Sequence, residues 1–72
     1  MDPRIARTRA SLHEALLGLC RDNEYASVSI SDIADAAGIN RSTFYQHYAD
    51  KEELLMDALD GFAEQAAAQI EA

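Results

Sequence analysis

Residues 29–55, SISDIADAAGINRSTFYQHYADKEELL, carry three helix start signals and a stop in close succession, which leaves room for little except short helices. Ser29 precedes Ile30, Ile33, Ala34 and Ala37, and Asp32 stands three residues after it. That is the spacing of a capping box, in which the two side chains offer acceptors to backbone N–H groups that a helix start leaves unpaired. Gly38 is the predicted stop, because glycine takes the left-handed conformation of a helix C-terminus without a Cβ penalty. After a single apolar residue, Ile39, Asn40 is a predicted N-cap for a second helix over about 41–47. Asp50 with Glu53 makes a third start signal ahead of Leu54 and Leu55. Two short helices joined by a tight glycine-containing turn outline a helix-turn-helix.

The flanking segments supply the rest of a small bundle. Asp2 and Pro3 read as an N-cap and a proline at the first helical position. Ile5, Leu12, Ala15, Leu16 and Leu19 recur at helical spacing, which predicts a first helix over about 3–21. Gly18 inside it costs ~1 kcal/mol of helix propensity and is expected to mark a place where another helix crosses. The polar run Asp22, Asn23 and Glu24 ends this helix, Tyr25 is expected to tuck back into the core, and Val28 is placed as a hydrophobic staple before the Ser29 cap. In the helix over 30–37, Ile33, Ala34 and Ala37 form the expected buried stripe, with Ser31, Asp32 and Asp35 outside. From about residue 51, Leu55, Ala58, Leu59, Phe62, Ala66 and Ile70 keep one apolar face. The expected architecture is therefore all-α: one domain over 1–72, a three-helix bundle containing a helix-turn-helix, then the start of a longer fourth helix. That last stripe outruns the bundle, so the chain is expected either to continue in a larger protein or to dimerise through it.

At 72 residues the chain is near the lower limit at which one core suffices without staples. A lone Cys20 cannot form an internal disulfide framework and suits a reducing, cytoplasmic setting as a small core hydrophobe. No apolar run approaches the ~20 residues of a membrane span, and no signal-peptide core is present. The formal net charge of −7 opposes nucleic acid at first sight, so its distribution matters. Residues 1–48 hold five arginines and six acidic side chains, whereas residues 49–72 hold Lys51 against seven. The acidity lies mostly in the last segment.

Ile33-Ala34, Ala37-Gly38-Ile39, Thr43-Phe44-Tyr45, His47-Tyr48 and Lys51-Glu52 followed by Leu54-Leu55 form an ordered set that resembles the N-terminal DNA-binding domain of the tetracycline-repressor (TetR) family. The likeness runs over about residues 9–59. One departure stands in the loop after the first helix: the family usually has a glycine before an aromatic residue, and here Glu24 precedes Tyr25. The resemblance implies double-stranded DNA as the partner, with bases read by Arg41, Ser42 and Gln46 together with Ser31. Phosphates would be gripped by Ser29, Thr43, Tyr45, His47 and Lys51. It also implies a transcriptional regulator, a repressor by family habit. A helical domain C-terminal to this chain would bind a small ligand and form a homodimer on a near-palindromic operator.

The residues themselves are compatible with that chemistry. Phe44 and Tyr48 are four apart and are expected to share the inward face, leaving Arg41, Ser42, Thr43, Tyr45 and Gln46 near the helix start or outside. Arginine can bond guanine O6 and N7 in a fork, and a helix start offers N–H groups to phosphate. Each residue also has a plainer role: Ser29 as a cap, Thr43 as surface, Tyr45 as partly packed, His47 as a core-edge histidine. Arg4, Arg7 and Arg9 form either a solvated basic end or a phosphate or minor-groove contact. His13, His47 and Cys20 have no spacing that matches a zinc site, and Asp57, Asp60 and Glu64 read as a solvated face. No nucleophile–base pair, phosphate loop or paired catalytic carboxylate stands out, so neither enzymatic activity nor a cofactor is expected. The alternative function is an acidic helical protein-interaction module that retains the helix-turn-helix shape.

Overall fold

The computed structural model describes the backbone of residues 3–71 and the side chains of residues 3–61. Four helices follow one another: α1 (Pro3–Asp22), α2 (Ile30–Ala37), α3 (Arg41–His47) and α4 (Lys51–Glu71), with a 3-10 turn over Tyr25–Ser27 between α1 and α2. The described residues contain no strand, so the fold is all-α. α1 packs against both α2 and α4, and α2 packs against α3.

The local start and stop signals act as chemistry requires. Ser29 Oγ accepts from the Asp32 N–H at 3.0 Å, and the Ser29 N–H donates back to Asp32 Oδ2 at 3.0 Å. Gly38 ends α2 at φ 76°, where an L side chain would be strained. Asn40 Oδ1 accepts from the Thr43 N–H at 3.1 Å and so opens α3. The Glu53 N–H donates to Asp50 Oδ1 at 2.9 Å, while Glu53 itself reaches back to the Ala49 N–H at 2.8 Å.

Every helix contributes to one core. Leu12, Ala15 and Leu16 enter from α1, Ile33 and Ala34 from α2, Phe44 from α3, and Leu54 and Ala58 from α4, with Val28 and Tyr48 filling from the connections. Val28 precedes the Ser29 cap and shares the core with Ile33, as a hydrophobic staple does. Ala37, Tyr25 and Cys20 are half-buried against this cluster.

Three expectations need correction or a reason. Gly18 is not required by a close helix approach: it is exposed, and a Cβ built there would meet nothing within 4 Å. The departure at Glu24 costs nothing, because its backbone lies at φ −69° and ψ 144°, extended geometry open to any residue. Asp57 is more than a solvated acid: it is half-buried, and its carboxylate is bonded to Tyr48 and His13. The Asp2 cap, the side chains of Phe62, Ala66 and Ile70 on the far stripe, and Glu64 lie outside the described residues.

Candidate nucleic-acid interface

α3 is a short helix held at both ends and by its inner face. Phe44 is fully buried and Tyr48 is 5% exposed, so the four-residue spacing turns both rings inward. The outward face then consists of Arg41, Ser42, Tyr45 and Gln46, all exposed, with Thr43 and His47 half-buried at its flank. Tyr45 is 53% exposed, yet its ring meets Phe44 edge-on at 5.6 Å and 85°. The aromatic contact fixes the ring and leaves the phenol directed away from the core.

At the start of α3 a single atom organises the polar groups. Asn40 Oδ1 accepts from Ser42 Oγ at 2.7 Å and from Thr43 Oγ1 at 3.0 Å, besides the Thr43 N–H. Both hydroxyls therefore spend their protons on the cap, and either would have to swing away from Asn40 to donate to a phosphate. Ser29 differs: its Oγ acts as an acceptor in the α2 capping box, which leaves its O–H to donate elsewhere. The same box holds the Asp32 carboxyl below the usual carboxylate range, chiefly through the Ser29 N–H. Ser31 is half-buried in the first turn of α2.

The basic start of α1 borders α3. Arg4, Ile5, Thr8 and Arg9 face Thr43, Gln46 and His47 across an open groove of about 420 Å³. The Arg9 guanidinium also lies 5.8 Å from the centre of the Tyr48 ring, and the His47 ring is 6.5 Å from it. Arg4 and Arg9 are thus beside Gln46 and the Thr43–His47 flank of α3, a neighbourhood that periodicity along α1 alone does not reveal. Arg7 is exposed and does not line this groove.

Lys51 is placed differently from the α3 residues. Its half-buried ammonium donates to the carbonyl oxygens of Tyr25 at 2.9 Å and Val28 at 2.8 Å, and it sits 4.3 Å from the centre of the Tyr25 ring. The adjacent Glu52 accepts from Tyr25 Oη at 2.9 Å. Partial burial, then this carboxylate, push the Tyr25 phenol up to about 12. The first turn of α4 thereby fastens the loop that leads into α2. Because the Val28 carbonyl belongs to the peptide joining it to Ser29, the ammonium lies directly behind the start of α2, with one N–H left over.

The sequence reading missed a second tie. Asp57 Oδ2 accepts from Tyr48 Oη at 2.5 Å and lies 3.0 Å from His13 Nε2, which is also 3.3 Å from Tyr48 Oη. The Tyr48 hydrogen bond first, and then His13 and the Arg9 charge, hold the Asp57 carboxyl below its ordinary range. Burial, followed by this bond, raises the Tyr48 phenol. Among the described residues there is no His, Cys, Asp and Glu group able to hold a metal ion, and no helix long and apolar enough to cross a membrane.

A capped α2, a left-handed glycine turn and an anchored α3 with a polar outer face define a helix-turn-helix protein. The chain belongs to the family described as bacterial regulatory proteins, tetR family, which it matches over residues 12–58. It is 50% identical over 56 residues to the uncharacterized HTH-type transcriptional regulator YxbF of Bacillus subtilis, covering 76% of this chain and 15% of that protein. It is 42% identical over 48 residues to the HTH-type transcriptional regulator EthR of Mycobacterium tuberculosis, covering 67% of this chain and 22% of EthR. It is 40% identical over 48 residues to DhaS of Lactococcus lactis, named as the dhaKLM operon transcriptional activator, covering 67% of this chain and 26% of DhaS. The chain thus spans about a quarter or less of the length of these three relatives. No solved structure matches it significantly.

Proposed function

We propose that this chain is the sequence-reading domain of a bacterial transcriptional regulator, with α3 as the helix that enters the major groove of double-stranded DNA. The observation that carries this reading is the outer face of α3. Arg41, Ser42, Tyr45 and Gln46 are exposed on a helix whose inner face is locked by Phe44 and Tyr48 and whose start is locked by Asn40. A fixed helix with a polar outer face is what direct readout needs, because forked contacts to base edges tolerate little misplacement. In this reading Arg41, Ser42 and Gln46, with Ser31, address bases. Ser29, Thr43, Tyr45, His47 and Lys51 address phosphates on either side.

Two copies, joined through a region C-terminal to this chain, would place two reading helices on a near-palindromic operator. A cytoplasmic, ligand-responsive repressor is the form we favour; DhaS, by contrast, is named as an activator. The net charge of −7 favours the rival reading, an acidic module that binds protein. Residues 1–48, which include α3, hold five arginines against six acids, so most of the negative charge lies outside the reading helix, and this supports the DNA reading.

The test is selection of bound duplexes from a random pool by the domain fused after Ala72 to a dimerising helical domain, with Arg41→Ala alongside. A recovered motif in which Arg41→Ala relaxes one base position, at a loss of ~1–3 kcal/mol, is the expected result. No recoverable motif, or a motif unchanged by Arg41→Ala, would overturn the assignment of Arg41.

A further inference from the structure

We propose that His13 and Asp57, neither of which lies on the outer face of α3, are positioning residues that set the angle of the recognition helix through the Tyr48 hydroxyl. The inference rests on the reading of α3 as the base-reading element.

α3 has seven residues, too few to hold a direction by its own backbone bonds. Its orientation comes from what its side chains meet. Phe44 supplies the central pivot, fully buried in apolar surroundings. Apolar packing is non-directional, so a short helix held inward by the Phe44 and Tyr48 rings can still rock. The start of α3 is fixed by Asn40. Its end is Tyr48, whose N–H closes the helix on the Phe44 carbonyl at 3.0 Å and whose side chain runs inward. Tyr48 Oη then meets Asp57 Oδ2 at 2.5 Å, and the same carboxylate oxygen lies 3.0 Å from His13 Nε2. A hydrogen bond has a preferred direction as well as a length, so this contact restricts rocking where packing does not.

The tie joins three elements that are far apart in sequence. His13 belongs to α1, Tyr48 closes α3, and Asp57 lies in the second turn of α4. Arg9, one turn before His13, adds its guanidinium 5.8 Å from the Tyr48 ring. Elsewhere α4 is fastened by Lys51 and Glu52, but those bonds go to the loop before α2 and leave α3 free. Among the described residues, the Asp57 carboxylate is therefore the polar link from α3 to α4. A displacement of α4 relative to α1 would break it or drag the end of α3 with it.

Tyr48→Phe removes one oxygen and keeps the ring in the core, and Asp57→Ala removes the acceptor from the other side. Asp57→Asn keeps an acceptor for Tyr48 and serves as the conservative variant. Amide hydrogen exchange on the 72-residue chain reads the effect without DNA. Faster exchange by about tenfold at residues 44–48, with α2 and the first half of α1 unchanged, is the expected result for Tyr48→Phe and Asp57→Ala. Asp57→Asn should recover much of the protection. Exchange that stays unchanged, or rises equally throughout the chain, would overturn the proposal, because the contact would then be idle or merely structural.

The second readout uses the domain fused after Ala72 to a dimerising helical domain: its affinity for a duplex recovered by selection with the unaltered fusion, compared with the same duplex scrambled. The two disruptive variants should lower the preference for the selected duplex about tenfold and leave scrambled-duplex binding as it was. An equal loss on both duplexes would contradict positioning. If no duplex can be selected at all, the DNA reading fails while the exchange measurement still decides whether Asp57 fixes α3.

Discussion

The ammonium of Lys51 lies 2.8 Å from the carbonyl oxygen of Val28, the last residue before the cap of α2. One cation therefore ties the first turn of α4 to both the Tyr25 and Val28 carbonyls of the loop before α2. Lys51→Met keeps most of the aliphatic stem and removes the charge. It should lower stability by about 1 kcal/mol, since two partly buried carbonyls lose their donor but water can reach them. It should also flatten the dependence of log affinity on log salt by about one unit if the spare N–H grips a phosphate. Thermal melts and binding at several salt concentrations separate the roles. A lower melting temperature with the parent's salt slope would show that Lys51 only closes the loop.

The two glycines of the bundle that differ most in geometry should respond oppositely to alanine. Gly18 is exposed in α1, and an added Cβ meets nothing within 4 Å. Gly18→Ala should therefore stabilise the chain by ~0.5–1 kcal/mol through helix propensity alone. Gly38 also has open space around it, but its φ of 76° strains any L side chain. Gly38→Ala should destabilise by ~1–3 kcal/mol. Urea unfolding of both variants checks the pair, and a loss of stability in Gly18→Ala would show a contact that the open surface around it does not predict.

What the sequence makes legible here depends on the range of each interaction. The Ser29–Asp32 box, the Gly38 turn and the Asn40 cap are complete within four residues, so their signals survive in a single sequence. The inward placement of Phe44 and Tyr48 follows from one turn of helix. The ties made by Lys51 and Asp57 reach partners across the fold, and no local period marks them. Asp57 looks like any acid on a charged helix until α1 brings His13 beside it. For the candidate site, the exposed side of α3 can be read from spacing. That Asn40 engages both the Ser42 and Thr43 hydroxyls, and that the start of α1 borders α3, comes only with the fold.

Acid should weaken the fold through the carboxyls that serve as acceptors. Asp57 and Asp32 are both held below the ordinary value of 3.8 in the folded chain, by hydrogen bonds from Tyr48 and from Ser29 respectively. A depressed folded value means that the contribution is fully present above the unfolded value. It is lost as pH falls below about 3.8 and through the depressed folded value. Asp57→Asn should therefore be less stable than the parent at neutral pH, and the difference should shrink on acidification. Tyr25 works in the other direction: raised from 10.0 to about 12, it contributes stability that fades as pH climbs through that interval. Urea unfolding as a function of pH measures both limbs. A constant gap between parent and Asp57→Asn down to about pH 2 would show that the Asp57 carboxylate charge does not stabilise the fold.

The last expectation concerns what one copy of this domain can do alone. A single helix-turn-helix places one short helix in one major groove. Here the Ser42 and Thr43 hydroxyls are already engaged by Asn40, and Lys51 is largely committed to carbonyls. Few groups remain to grip the backbone without rearrangement, and residues 49–72 carry seven acids against one lysine, which opposes approach at long range. Two copies held about one DNA turn apart, or a multiple of it, convert the second contact into an intramolecular one. That can raise affinity ~10²–10⁴-fold without any new contact. The 72-residue chain should therefore bind a half-site at close to its affinity for unrelated duplex. Fusing a dimerising helical domain after Ala72, in a geometry that lets both reading helices dock, should produce tight binding to the full near-palindrome. The control is a duplex with one half scrambled, on which the fusion should fall back towards the affinity of the single domain. Nanomolar binding of the unfused chain to one half-site in physiological salt would show that this domain reads DNA as a self-sufficient monomer.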